Sequence, residues 1–258
     1  MDLLNVRQEL SDLARTGSRR TFMKGAFAAA AVGGAAAAGF PSLFGTASAA
    51  EGTGADTNAA ILKAARTAEE LATTFYYQGV AGPTAANLGK VHDANNLNYF
   101  QAALWQEYQH VRILTNPLGA TSYASGTFYL PTAWFDNSAN FLAALDVLET
   151  AFIGAYLAAI REFAENGFPF YSEVAGDFLG TETEHRVLGR ITSGSNPPNN
   201  WILEKAEFQT VGAAVGVLGG FLSPGPGTAA YTMPTPDQIS AAAAPFNNLA
   251  NPGLVQAG

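Results

Sequence analysis

Glu107-Tyr108-Gln109-His110 and Glu182-Thr183-Glu184-His185 are the two stretches that decide how this chain is read. The sequence has 258 residues and three histidines, and two of those histidines follow a glutamate by three positions. On a helix, residues i and i+3 lie on one face, so each pair aims a carboxylate and an imidazole in the same direction. A single Glu-x-x-His is more often a surface ion pair than half of a metal site. Two of them call for a common explanation, and the sequence around them supplies it.

A second pattern matches the first. Glu69 precedes Tyr76 by seven residues, and Glu149 precedes Tyr156 by the same spacing. Seven residues are nearly two turns, so each glutamate shares a face with its tyrosine. The order then repeats, with a lone glutamate followed by a Glu-x-x-His. Glu69 and Glu107 are 38 residues apart and Glu149 and Glu182 are 33 apart, as expected for a duplicated helix hairpin. Apolar periodicity turns these groups inward: Leu142, Leu145, Phe152 and Ile153 share a stripe with Glu149, and Val174 and Phe178 share one with Glu182 and His185. Two glutamates compete on the first helix. Glu70 falls with Lys63 and Arg66, which reads as a solvated face, whereas Glu69 falls with Leu62, Ala65 and Ala72, which reads as core. Glu69 is therefore the expected inward group.

Capping residues divide the chain into helices. Asp56-Thr57 opens a helix over about 58–78, Asp93 one over 95–115, and Asp136 or Asn137 one over 138–165; another runs from Pro169 to about 191. A fifth is expected over about 201–218, followed by an irregular tail with a short helix after Pro236. Only a few residues link the third and fourth helices, so these are antiparallel neighbours. About twenty residues, Pro117 to Trp134, separate the second from the third, a long connection for a bundle. The expected fold is all-α. Two helix hairpins joined by one long crossover form a four-helix bundle over 50–195, and 196–258 form a C-terminal extension packed on it.

Four carboxylates buried together would be forced to protonate by desolvation and mutual repulsion. Two divalent cations balance four carboxylates. Glu69, Glu107, His110, Glu149, Glu182 and His185 are thus the candidate metal ligands, an oxygen and imidazole set that suits iron, manganese or zinc. Tyr76 and Tyr156 are candidate catalytic or supporting groups, bonding a ligand carboxylate or relaying an electron; a core aromatic role is weighed equally. Trp105 and Tyr108 read as packing and His92 as structural or exposed. Arg112 and Arg186 read as surface groups or ion-pair partners, and Glu184 as exposed. Asp146 could orient a histidine or bond between helices.

One glutamate on each of two helices with Glu-x-x-His on the other two resembles the ligand pattern of the ferritin-like di-metal carboxylate superfamily, matched at all six positions across residues 58–191. The Phe75-Tyr76 pair, the long C-terminal extension and the export signal described next resemble the bacterial exported ferritin-like proteins related to plant desiccation-associated proteins. The resemblance implies a ferritin-like fold and a di-iron or di-manganese centre. It does not imply one reaction, because iron oxidation and storage, peroxide destruction and organic oxidation all occur in the superfamily.

Ser18-Arg19-Arg20-Thr21-Phe22-Met23-Lys24 resembles a twin-arginine export signal. An alanine- and glycine-rich run follows it, then Ala47-Ser48-Ala49, so residues 1–49 are expected to be removed on the way to the periplasm or the exterior. That removal takes five basic and three acidic residues and changes the net charge from −8 to −10. An acidic chain without a basic patch is a poor partner for nucleic acid. No later stretch is expected to span a membrane, Val211–Leu222 being too short. The chain has no cysteine, which excludes disulfides, thiolate sites and iron–sulfur clusters. The leading expectation is a redox protein acting on dioxygen, peroxide or iron(II), with homo-oligomerisation left open. The alternative is a stress or desiccation-associated protein in which the metals only stabilise the bundle.

Overall fold

Local chemistry starts each long helix close to the expected position. The Thr57 hydroxyl accepts from Ala60 N to open α1, Asn58–Ala81. Asp93 accepts from Asn95 N to open α2, Ala94–Thr115, and Asn137 accepts from Asn140 N to open α3, Ser138–Glu165. Pro169 begins α4, Pro169–Ser193, where its missing N–H has no cost. That helix ends at Gly194, whose φ of 98° is left-handed and suits glycine. The computed structural model describes residues 55–200 and 203–248; the export signal expected at 1–49, and Trp201, lie outside them. α1 packs mainly on α2 and α3 on α4, which gives the two expected hairpins.

The bundle interior is layered. One apolar cluster fills one end, built around Phe75 stacked on Phe141 with centroids 4.5 Å apart and planes within 2°. A second, with Ile61, Phe163, Val174 and Phe178, fills the other. Between them lie buried polar groups: Glu69, Glu107, Glu149, Glu182 and the two imidazoles.

The crossover differs from a plain loop. Its residues Thr127–Pro131 form β1, which pairs antiparallel with β2, Thr228–Thr232, from the tail. Phe128 and Leu130 alternate inward and are fully buried. The alternation is there in the sequence, but five residues whose partner is about a hundred positions away give no local sign of pairing. The crossover also folds over α1: Arg66 donates to Ala120 O at 2.6 Å, Ser122 donates to Glu70 Oε2 at 2.6 Å, and Thr67 Oγ1 accepts from Tyr123 N. Glu70 is therefore buried, at 5 % exposure, rather than solvated. Its helix face reads as polar because it meets another polar segment, not water.

The extension corrects the sequence reading once more. The fifth helix, α5, spans only Val211–Leu218, not 201–218, and residues 203–210 form neither helix nor strand. Polar partners end the helix there: Thr210 Oγ1 accepts from Ala213 N, Glu162 Oε2 from Val211 N and Asp56 Oδ2 from Gly212 N. Upstream, Glu204 is drawn to Arg186 and Asn200. The short helix after the tail's proline is present as α6, Pro236–Ala242, opened by a Thr235/Gln238 capping box. Its Ile239 is fully buried, so this part of the tail packs into the core.

By length and composition α3 does qualify as long and apolar enough to cross a membrane, contrary to expectation. Its most apolar window is 61 % buried, which accounts for that composition as bundle core.

Gly79 marks a close helix contact. A Cβ there would sit 2.4 Å from Phe141 Cζ, and the Phe141 ring is pinned by Phe75. Gly79→Ala gains about 0.5–1 kcal/mol of helix propensity but overpacks the core by about 1–3 kcal/mol. Urea unfolding should therefore show a net destabilisation.

Candidate metal centre

All six expected donors come together at mid-bundle. Glu69 and Glu149 are contributed by α1 and α3, Glu107 and His110 by α2, and Glu182 and His185 by α4. Every one is at most 6 % exposed, and Glu107 and Glu182 are at 0 %. They form two overlapping groups, Glu69–Glu107–His110–Glu182 and Glu107–Glu149–Glu182–His185, with donor atoms in each within 4.8 Å of one another.

The overlap has a definite geometry. His110 Nδ1 lies 3.1 Å from Glu69 Oε2, 3.3 Å from Glu182 Oε1 and 3.6 Å from Glu107 Oε2. His185 Nδ1 lies 2.9 Å from Glu107 Oε1, 3.4 Å from Glu182 Oε2 and 3.9 Å from Glu149 Oε1. Glu107 and Glu182 thus each turn one oxygen toward each imidazole. Both oxygens of both residues, Glu149 Oε2 and His185 Nδ1 are buried without a hydrogen-bond partner. Even the 2.9 Å His185–Glu107 approach lacks hydrogen-bond geometry, so these atoms converge on a common space rather than satisfy one another. Leaving such groups unpaired costs about 1–3 kcal/mol each, and more for charges. That is the signature of a cluster that could hold metal ions.

Electrostatics agree. Burial pushes the Glu69 and Glu149 carboxyls well above the usual range, with Glu182 and Glu107 adding to the rise against the nearby imidazoles. Burial alone would lower the His110 and His185 values, but the surrounding carboxylates raise both well above the ordinary imidazole range. Burial likewise opposes ionisation of Glu107, yet the close approach and positive charge of the two histidines prevail and lower it. Without metal, the layer therefore favours proton uptake at Glu69, Glu149, His110 and His185, and divalent ions would supply positive charge in its place.

The tyrosines act across the bundle. Tyr76 on α1 donates to Glu149 Oε1 on α3 at 2.5 Å, and Tyr156 on α3 donates to Glu69 Oε1 on α1. Seven-residue spacing puts each tyrosine on the face of its own glutamate, but the bond goes to the glutamate of the other hairpin. Burial and the adjacent carboxylates push both phenols up, so they remain donors. Gln106, which the sequence did not single out, receives a contact from His185 Nε2 at 3.0 Å. As the acceptor, its amide oxygen keeps the proton on Nε2 and leaves Nδ1 facing the carboxylates. His110 has a different support, stacking on Phe178 with centroids 4.0 Å apart. Neither neighbour carries a signal in the sequence, because each belongs to a different helix from the imidazole it holds.

The remaining side chains resolve as follows. Asp146 bonds Arg190 of α4 at 2.5 Å, a helix-to-helix link and not a histidine partner. Arg186 is a buried ion-pair partner of Glu204. His92 Nε2 meets Gly79 O at 2.9 Å, a structural contact. Trp105 packs against Tyr108, and Glu184 is exposed.

Paired helix hairpins around a buried carboxylate–imidazole layer define a ferritin-like bundle. The chain belongs to the ferritin-like domain family, whose model matches residues 57–194. No curated protein and no solved structure matches it.

The titration shifts fix a pH dependence for the metal-free protein. Glu69, Glu149, His110 and His185 bind protons more tightly folded than unfolded, so their contribution is complete below the unfolded values. It is lost as pH rises through the raised folded values. Thermal unfolding of metal-free protein should show a melting temperature that falls as pH rises above the ordinary carboxylate and imidazole ranges, with metal loading removing most of the fall.

Proposed function

We propose that this protein is an exported di-metal carboxylate protein whose two ions, iron or manganese, undergo redox chemistry with dioxygen, peroxide or iron(II). The observation that carries this reading is the division of the Glu107 and Glu182 oxygens between the two imidazoles. Carboxylates so placed would help hold both ions. Glu69 and His110 would complete one ion and Glu149 and His185 the other. Iron or manganese held by these six residues would supply two-electron redox chemistry toward dioxygen or peroxide.

The chain's own groups set the conditions for that chemistry. Tyr76 holds Glu149 Oε1 and leaves its unpartnered Oε2 for the centre. Gln106 fixes the His185 tautomer. The apolar layers above and below exclude water and so strengthen every charge interaction between them. Export is supported by Ser18–Lys24 and Ala47-Ser48-Ala49, and the periplasm or exterior is the expected location.

A second reading is favoured by one observation: the cluster ties all four long helices together from fully buried positions. Metals held there could act chiefly as a staple in a stress-associated protein. Elemental analysis of protein recovered from its exported location separates the two. Redox turnover at two iron or manganese ions per chain supports the first. Zinc, with chelation lowering the melting temperature and no turnover, supports the second. A chain that retains no metal overturns both.

Two variants sharpen the assignment. Glu107→Ala should lose both ions rather than one, since it faces both halves of the cluster; metal per chain after dialysis reports this. Gln106→Leu should fold normally but weaken metal affinity by about 10–100-fold, read by competition with a chelator.

A further inference from the structure

An apolar pocket of about 60 Å³, partly open to solvent, lies between α1, α3 and α5, which packs across it as a partial roof. Its sides are short: Ala68 faces it from α1 and Ala151 and Ala155 from α3, with Val215 and Leu218 above. Larger side chains at these positions would close the gap between helices. The inner wall is Tyr156, whose hydroxyl is bonded to Glu69. One aromatic ring therefore separates the cavity from the buried cluster.

We infer that this cavity holds dioxygen on its way to the metal pair. The inference rests on the proposed function and adds to it an entry site for the oxidant. Three properties select the occupant. Tyr156 is the only lining residue with a polar side chain, and its hydroxyl is engaged by Glu69. A water needs two to four polar partners, so the space disfavours water. Hydrogen peroxide would lose its hydrogen bonds here without replacement, and is disfavoured for the same reason. Its small volume favours a small occupant over an organic molecule, since a dry cavity that takes benzene measures about 150 Å³. A diatomic gas fits both the volume and the lining. The extension contributes the roof, which gives residues 211–218 a role distinct from stabilising the bundle.

Xenon is a probe of the same size and polarity class, and its binding can be read without metal. Crystals pressurised with xenon should show an atom in this cavity, and Ala155→Phe should abolish it. In metal-loaded protein mixed rapidly with either oxidant, Ala155→Phe should lower the ratio of the dioxygen rate to the peroxide rate several-fold, at unchanged metal content. Ala151→Leu is a milder filling of the same space should Ala155→Phe not fold. A wild-type cavity that takes no xenon overturns the inference. So does a filled, metal-replete variant with a wild-type rate ratio. Xenon bound in a protein that loads no metal sustains the cavity as a gas site and sinks the metal centre instead.

Discussion

Four carboxylates in a layer sealed above and below by apolar side chains need positive charge beside them, and the rest of this structure is arranged around that need. Desolvation of a single carboxylate is costly, and mutual repulsion adds to the cost when several are close. The two imidazoles answer part of it, as the lowered Glu107 value records. The upward shifts of Glu69 and Glu149 show that they do not answer all of it. A bundle that keeps such a layer at zero to a few per cent exposure retains it for what the layer can bind.

Helix geometry makes the layer possible. Each hairpin supplies one glutamate from its first helix and a Glu-x-x-His from its second, so the halves are related by an approximate twofold. The tyrosine bonds make the relation reciprocal, α1 supporting α3's glutamate and α3 supporting α1's. The symmetry fails in the outer support of the histidines, where Gln106 holds one by a hydrogen bond and Phe178 holds the other by stacking. Two ions bound here would therefore have inequivalent surroundings, as expected when a duplicated scaffold has diverged at side chains while keeping its backbone plan.

The additions to the bundle do more than decorate it. The crossover covers the polar face of α1 through Arg66, Thr67 and Glu70. The tail pairs with the crossover as a two-stranded sheet, then sends Ile239 into the core. Glu162 accepts from Asp56 N and Val211 N, fastening the start of α1 and the start of α5 to α3 with one carboxylate. These long-range ties position α5 over the alanine-lined gap between α1 and α3.

The sequence by itself determined the four long helices, their pairing into hairpins and the identity of the inward donors. Caps act over three residues and helical faces repeat every turn, so both are written locally. It also carried Glu69 over Glu70, although its reason for rejecting Glu70, exposure to solvent, was wrong. Tertiary structure alone decided which tyrosine meets which glutamate, that Gln106 and Phe178 hold the histidines, where α5 begins, and that two short strands pair across a hundred residues. Each of those outcomes depends on an atom brought in from another element. Local periodicity can fix the direction in which a side chain points, but it contains no information on what will be standing there.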